Sequence, residues 1–236
     1  MRIKPDSFLL TRPIAHRGLW GNGIIENSLS AYKNAVDNDM PFEIDLFITA
    51  DGEIVTFHDD TLSRMTGADG KIYEKTLKEL KSLSLAGTDE KIPTFKEVLE
   101  TVKGKVPILI EIKDQPNDKV VDLAVEILKK YDGEFAVQSF NPFYINRVKK
   151  LAPEFIRGIL ATDKKERGWT TNFVLKNMPF NFMIKPDFIS YHKTGLKDAK
   201  KKAKKIPLIT WTITTEKEKT EALNYADNII FEHFLP

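Results

Sequence analysis

The sequence contains no cysteine among its 236 residues. This absence excludes disulfide bonds, thiolate catalysis and cysteine-ligated zinc, and it fits a reducing compartment, so we predict a cytoplasmic protein. No apolar run approaches the roughly 18 residues of a membrane-spanning helix, which predicts no transmembrane segment. The segment Met1–Leu10 also lacks the apolar core of a signal peptide. The formal net charge is only +2, which predicts no nucleic-acid partner.

What the sequence does contain is a series of short apolar runs separated by amphipathic segments. Strands that alternate with helices favour a parallel sheet. Eight such units in a chain of this length predict an α/β fold, a single (β/α)8 TIM barrel domain over residues 1–236. A helix is predicted to begin near Asn27, a good N-cap residue, and none is assigned between Thr162 and Pro186. The predicted strands are Pro13–His16, Phe42–Ile48, Pro107–Lys113, Phe135–Phe140, Phe155–Leu160, Phe188–Tyr191, Pro207–Ile213 and Asn228–Phe231.

Two polar stretches stand apart from this alternation. Residues 59–93 are polar and show no clear strand–helix pair, which predicts a small insertion after the second strand, at the mouth of the barrel. The run Lys197–Lys205 contains seven acidic or basic residues. It is interpreted either as a solvated helix face or as a patch that holds an anionic surface.

Carboxylates recur inside two of the predicted strands. Because strand side chains alternate between faces, Glu43 and Asp45 share one face of the second strand, opposite its apolar residues. The apolar face must meet the helices, so the pair points into the barrel, and Glu111 of the third strand points inward in the same way. Adjacent buried carboxylates are costly unless a cation lies between them, and oxygen ligands suit Mg²⁺ or Ca²⁺ better than zinc. We predict one such cation on these three residues. The alternative for Glu111 is a salt bridge to Lys113.

A histidine is predicted to lie beside these carboxylates. Asp51-Gly52 signals a two-residue hairpin turn between strand-like runs. If these two residues form the turn, Ile48 pairs with Val55, and the register sets His58 directly opposite Asp45 on the same face. The alternative is that His58 is an ordinary exposed hairpin residue.

Basic side chains gather at the predicted strand ends. The guanidinium fork of Arg17 suits phosphate oxygens, and Lys113 adds a second cation. Unperturbed histidine titrates near neutrality, so His16 and His58 are predicted to move protons in both directions. Together with a metal ion, these groups predict an anionic substrate and cleavage of a phosphoester. The remaining histidines are interpreted as structural: His192 and His233.

Short motifs in order along residues 11–231 resemble the glycerophosphodiester phosphodiesterase family. The matching segments are His16-Arg17-Gly18, Glu26-Asn27-Ser28, Glu43-Ile44-Asp45, the Asp51-Gly52 hairpin, His58-Asp59 with Thr61-Leu62, Glu111-Ile112-Lys113, Gln138-Ser139-Phe140 and Trp211-Thr212. Each motif alone is weak, but eight in order are specific. Two segments depart from the family pattern, Thr214 after Ile213 and Phe231-Glu232-His233-Phe234, and both lie in the rim expected to meet the substrate alcohol.

The resemblance implies a (β/α)8 barrel enzyme of lipid and glycerol metabolism that releases glycerol 3-phosphate and an alcohol. It implies one Ca²⁺ or Mg²⁺ on Glu43, Asp45 and Glu111, with His16 and His58 as general base and acid. It also implies substrate or phosphate binding by further residues, which are Arg17, Glu26, Lys113, Gln138 and Trp211. The implied reaction has two steps, through a cyclic phosphate that water then opens. The alternatives are a related barrel phosphodiesterase acting on lysophospholipids or on glycerol phosphate units of a surface polymer, and a catalytically silent binding module.

Overall fold

The computed structural model describes residues 2–165 and 168–236. Within these residues eight parallel strands alternate with helices, so the predicted (β/α)8 TIM barrel is confirmed. A ninth strand, β3, forms the hairpin with β2. The strands are β1 (Ile14–Ala15), β2 (Phe42–Ile48), β3 (Ile54–Thr56), β4 (Ile108–Ile112), β5 (Phe135–Ser139), β6 (Arg157–Ala161), β7 (Phe188–His192), β8 (Leu208–Ile213) and β9 (Asn228–Phe231). The α-helices are α1 (Phe8–Thr11), α2 (Leu29–Asp37), α3 (Ser63–Thr66), α4 (Leu77–Ser82), α5 (Phe95–Val102), α6 (Lys119–Leu128), α7 (Pro142–Leu151), α8 (Trp169–Asn177), α9 (Asn181–Ile184), α10 (Leu196–Ala203) and α11 (Glu216–Ala222).

The chain divides into two compact units, which we describe separately: a first unit of residues 17–135 and a second unit of residues 2–16 with Ala136–Pro236. In the first unit, β2 pairs in parallel with β4 and antiparallel with β3. Every residue of β2 and β4 is buried, as expected for strands covered on both faces. The register aligns Asp45 with Glu111, so their side chains leave the sheet on the same face.

The predicted register of the β2–β3 hairpin is wrong by one residue. Ile48 pairs with Ile54 and not with Val55, and the backbone N–H of Phe57 donates to the carbonyl of Asp45. The cause is the loop, which has three residues, because Gly52 adopts a left-handed φ of 90° and the chain closes from Thr49 to Glu53. Phe57 therefore lies opposite Asp45 in the ladder, and His58 follows after β3 has ended.

The segment 59–93 is less polar in effect than its sequence suggests. It folds into α3, a 3₁₀ turn over Ile72–Glu74 and α4. Its apolar side chains pack against Phe47, Val55 and Phe57 of the hairpin region to form a separate buried cluster. The members contributed by the segment are Leu62, Met65, Ile72, Leu80, Leu85 and Ile92. These residues are spaced too irregularly to reveal a helix or strand period.

In the second unit six strands pair in parallel in the order β1-β9-β8-β7-β6-β5. Helix α7 follows β5 directly: Asn141 caps it by accepting from the backbone N–H of Phe143, and Pro142 occupies its first turn. Helices α8 and α9 lie where the sequence pattern assigned none. Trp169, Phe173 and Phe182 are 82%, 57% and 79% exposed, so large apolar residues on the outer face hide the usual amphipathic pattern.

Replacing Gly18, the residue after Arg17, is predicted to destabilise the fold. A Cβ at Gly18 would lie 2.8 Å from the Cβ of Ala31, and its φ is +81°. Gly23 has a φ of +91° but no described heavy atom within 4 Å of a built Cβ. In both alanine variants the left-handed backbone should lower the free energy of unfolding by about 1–2 kcal/mol. Only in Gly18→Ala should the steric clash lower it by about 1–3 kcal/mol more. Urea unfolding of the two variants measures this difference, and equal losses would contradict it.

Candidate active site

Three buried carboxylates converge in the first unit. Glu43 and Asp45 come from β2 and Glu111 from β4, and one oxygen of each lies within 4.8 Å of the others. The exposed fractions of the three residues are only 2%, 1% and 7%. The strand register brings them together, since Asp45 is aligned with Glu111 and Glu43 lies two residues before Asp45. The predicted metal ligands therefore meet in one cluster.

A lysine ammonium, a backbone N–H and a side-chain amide contact this carboxylate cluster. Lys113 Nζ donates to Asp45 Oδ1 at 3.2 Å and lies 3.0 Å from Glu111 Oε1. The backbone N–H of Arg17 donates to Glu43 Oε2 at 3.1 Å. Asn27 Nδ2 donates to Asp45 Oδ2 at 3.0 Å. The Glu111–Lys113 salt bridge, considered above as an alternative to a ligand role, exists as part of the buried cluster.

The protonation equilibria of the cluster reflect its excess of negative charge. Burial and the neighbouring carboxylates raise the pKa of Glu43 well above its usual range, and burial likewise raises the pKa of Glu111. Burial also acts to raise the pKa of Asp45, but Lys113, His58 and Arg17 outweigh it, and that pKa is lowered. The neighbouring cations thus stabilise the anion of Asp45, but they do not offset the cost of burying negative charge on Glu43 and Glu111.

Glu26 and Asp59 extend this network through arginine. Glu26 Oε1 accepts from Arg17 Nη1 at 2.9 Å and from Arg64 Nη2 at 2.6 Å. Arg64 Nε donates to Asp59 Oδ2 at 2.5 Å, and Asp59 Oδ1 lies 2.6 Å from His58 Nδ1. Arg17 Nε also lies 3.9 Å from Asp45 Oδ2, which joins this network to the carboxylate cluster. With Glu43 counted as part of the cluster, the network comprises five carboxylates and three cations, a formal excess of two negative charges. An excess of that size, on oxygen ligands only, fits one hard divalent cation.

His58 lies near the carboxylates without the predicted pairing. A protonated His58 lowers the pKa of both Asp45 and Glu111 by electrostatic attraction, so its imidazole lies near both carboxylates. Its side chain is about one-third exposed, and Asp59 holds its Nδ1. His58 is therefore neither opposite Asp45 in the hairpin nor an ordinary exposed hairpin residue.

His16 belongs to the second unit and has a matching arrangement. Its backbone N–H donates to the carbonyl of Phe231, and its Nδ1 lies 2.7 Å from Glu232 Oε2. His233 Nε2 lies 3.6 Å from the other oxygen of Glu232. His233, interpreted as structural from the sequence, thus shares a carboxylate with His16. A carboxylate on Nδ1 fixes the imidazole tautomer and directs Nε2 toward proton transfer.

Two predicted substrate-binding residues belong to the second unit, Gln138 and Trp211. Gln138 is buried, and its Oε1 accepts from Ser190 Oγ at 2.6 Å. Trp211 makes edge contacts with the rings of Phe140 and His192, with centroids 5.6 and 4.9 Å apart. The indole N–H of Trp211 is buried and has no hydrogen-bond partner among the described residues. A buried donor of this kind is suited to meet an acceptor on a ligand.

Several contributing residues were not predicted from the sequence. Asn27, predicted to cap α2, instead hydrogen-bonds Asp45, and Ser28 is the N-cap. Asp59 and Arg64 lie in or next to a matched motif, but nothing in their spacing reveals their contacts. Glu232 appeared only as a departure from the family pattern. Glu232 follows β9 directly and His16 follows β1 directly, and the parallel pairing of these two strands is the signal that could have paired the residues.

A comparison with known families decides the assignment. The model of the glycerophosphoryl diester phosphodiesterase family matches residues 16–233. The chain belongs to this family. The predictions of the family and of a phosphodiesterase enzyme are thereby confirmed.

Individual relatives agree with this membership. A glycerophosphodiester phosphodiesterase of Caldanaerobacter subterraneus subsp. tengcongensis is 30% identical over 227 residues, 88% of each chain. A phosphodiesterase of Oleispira antarctica, solved with the product sn-glycerol-3-phosphate, superposes with a TM-score of 0.79 at 28% identity over 94% of this chain and 93% of that one. A lysophospholipase D of Rattus norvegicus is 34% identical over 139 residues, 53% of this chain and 43% of that protein. Within the described ranges, no helix combines the length and apolarity needed to cross a bilayer.

Proposed function

We propose that this family member hydrolyses small glycerophosphodiesters to glycerol 3-phosphate and an alcohol, in a metal-dependent reaction with two-histidine acid–base catalysis. The observation that carries the proposal is the buried cluster of three carboxylates beside a carboxylate-held histidine, in a network with a formal excess of two negative charges. We propose that residues 1–236 act as one catalytic domain with 59–93 as its insertion. A cytoplasmic location stays a prediction from the sequence.

Glu43, Asp45 and Glu111 would hold one Mg²⁺ or Ca²⁺. When bound, such an ion supplies charge stabilisation for phosphoryl oxygens and lowers the cost of the clustered carboxylates. Lys113 keeps Asp45 ionised, and Asn27 orients the same carboxylate. The structure supports a hard cation here because every candidate ligand is a carboxylate oxygen.

His16 and His58 are proposed to exchange protons with the substrate. The substrate hydroxyl loses its proton to one imidazole and attacks phosphorus, while the other imidazole protonates the leaving alcohol. Water then opens the cyclic phosphate with the roles reversed. This is supported by the carboxylate contact on each Nδ1.

Arg17, Lys113 and Glu26 are proposed to organise the phosphate. Arg17 is held by Glu26, which also binds Arg64, so its guanidinium is oriented before substrate arrives. Trp211 is proposed to contact the substrate through its buried indole N–H and its ring face. Gln138 of β5, whose Oε1 accepts a hydrogen bond from Ser190, is proposed to contribute to substrate binding.

A lysophospholipid substrate is the second candidate. The specific observation in its favour is the apolar Phe140 ring against Trp211, which would suit an acyl chain better than a small polar alcohol. The partial similarity to the rat lysophospholipase D agrees with this candidate. A glycerol phosphate unit of a surface polymer has no comparable support. A silent binding module is opposed by the complete set of carboxylates and histidines.

A substrate panel with and without chelator tests the proposal. We expect release of glycerol 3-phosphate from glycerophosphocholine and related small diesters, with loss of turnover in EDTA and recovery on adding Mg²⁺ or Ca²⁺. Faster turnover of lysophosphatidylcholine than of any small diester would favour the second candidate. Absence of turnover on every diester, with the metals added, would contradict both.

A further inference from the structure

The outer surface of α7, α8 and α9 carries exposed aromatic residues on a strongly basic part of the chain. Phe143, Trp169, Phe173 and Phe182 are all more than half exposed. Isolated exposed apolar residues are ordinary, but four large aromatic rings on consecutive helices are not. We propose that this aromatic–basic surface docks the enzyme onto lipid bilayers that contain anionic head groups.

Helices α7 and α8 present the same pattern on their outer faces. On α7, Phe143, Arg147 and Lys150 are exposed at positions i, i+4 and i+7. Residues at this spacing lie along one side of a helix. On α8 the corresponding exposed row is Trp169, Phe173 and Lys176. Each of the two rows therefore begins with an aromatic residue and ends with a cation.

Contacts within the second unit join the helices into one surface. The rings of Phe143 and Phe180 lie 5.5 Å apart, and Lys149 Nζ of α7 donates to the carbonyl of Met183 on α9 at 2.6 Å. Lys202 of α10 donates to the carbonyl of Lys176 and to Asn177 at the end of α8. The lysine-rich run Lys197–Lys205 thus adjoins the carboxyl end of α8.

The charge of this region selects an anionic partner. Residues 141–205 contain 16 basic and 5 acidic residues, a net charge of +11, whereas the whole chain carries +2. The remainder of the chain is therefore acidic, and the basic charge is concentrated in the segment that carries the exposed rings. Lysine makes up 13 of the 16 basic residues. Arginine is the residue favoured for nucleic-acid recognition, while lysines flanking tryptophan and phenylalanine are typical of interfacial membrane binding.

Docking through the first turns of α7 and α8 would orient the end of the unit that carries Trp211. Because α7 and α8 follow β5 and β6, their aromatic first turns lie at the carboxyl ends of those strands, where barrel enzymes carry their active sites. Phe140, directly after β5, contacts Trp211 and also lines an apolar cavity with Pro142, Val174 and Phe180. A docked enzyme would turn the Trp211 end of this unit toward the lipid.

Vesicle co-sedimentation tests the aromatic contribution without using activity. Wild-type enzyme should sediment with vesicles of 70% phosphatidylcholine and 30% phosphatidylglycerol, and far less with pure phosphatidylcholine. Trp169→Ala/Phe173→Ala should lower the partition coefficient at least about tenfold. The matched control Leu223→Ala/Tyr225→Ala removes exposed side chains from the α11 end, and its binding should equal that of wild type. Equal binding of the aromatic variant and wild type would overturn the proposal.

A charge-reversal pair tests the electrostatic contribution. Lys150→Glu/Lys176→Glu should lower binding to the anionic vesicles at least about tenfold, and raised salt should weaken wild-type binding. Lys33→Glu/Lys217→Glu changes the same net charge at exposed lysines elsewhere and should bind as wild type. Circular dichroism confirms that each variant is folded. Two results would overturn lipid docking. In the first, wild-type enzyme does not bind vesicles but forms a dimer that the aromatic variant abolishes. In the second, wild-type enzyme binds single-stranded RNA more tightly than the anionic vesicles.

Discussion

Asparagine at position 45 should eliminate chelator-sensitive turnover while leaving the fold intact. Asp45 is the one carboxylate of the buried cluster whose pKa is lowered, through Lys113, His58 and Arg17. Asp45→Asn keeps an oxygen that can accept from Asn27 but removes the charge that would hold a divalent cation. We expect kcat/KM to fall at least about 10³-fold, because metal stabilisation of phosphoryl charge is worth several kcal/mol. Steady-state kinetics and calorimetric titration of Mg²⁺ and Ca²⁺ measure the two effects separately.

The matched control for this variant is Asp69→Asn. Asp69 is an exposed aspartate of the same unit, so its replacement makes the same chemical change away from the cluster. Its kinetics and its metal binding should equal those of wild type. Thermal unfolding of both variants identifies any general loss of structure. Full turnover by the wild-type enzyme after exhaustive dialysis against EDTA would contradict the metal-dependent reaction.

Removing either carboxylate-held histidine should be the second most damaging change. General acid–base catalysis contributes about 10²–10⁴-fold per group, so His16→Ala and His58→Ala should each lower kcat by about that factor. Metal binding should survive in both variants, since neither side chain is needed as a ligand. The wild-type pH–rate profile should be bell-shaped, and each variant should lose one limb. A diester with a very good leaving group should rescue only the variant that lacks the acid of the first step.

The partners of the two histidines provide graded controls. Asp59→Asn and Glu232→Gln retain the imidazoles but remove the carboxylate that holds each Nδ1. We expect a loss of kcat smaller than that of the corresponding alanine variant, with both limbs of the pH profile retained but displaced. Near wild-type rates in both His→Ala variants would show that proton transfer occurs elsewhere.

The sequence by itself determined the strand–helix alternation and the carboxylate positions. Both are consequences of local periodicity: a strand alternates its side chains, so Glu43 and Asp45 had to share a face opposite the apolar residues. The motif order along the chain likewise identified the family, because eight weak matches in sequence are improbable by chance. The stretch around α8 escaped prediction, since exposed Trp169 and Phe173 mask the helical period on which such predictions depend.

Only the tertiary structure decided which groups contact one another. The hairpin register depended on one additional loop residue, which Asp51-Gly52 does not reveal, because glycine in the left-handed region serves both two- and three-residue loops. The Glu232 contact of His16 spans 216 positions, and the Asn27–Asp45 contact crosses from a loop to a strand. Such contacts follow from strand pairing and from the packing of loops over the sheet, and no local pattern encodes them. The sequence therefore specified the chemistry available to the site, and the fold specified its geometry.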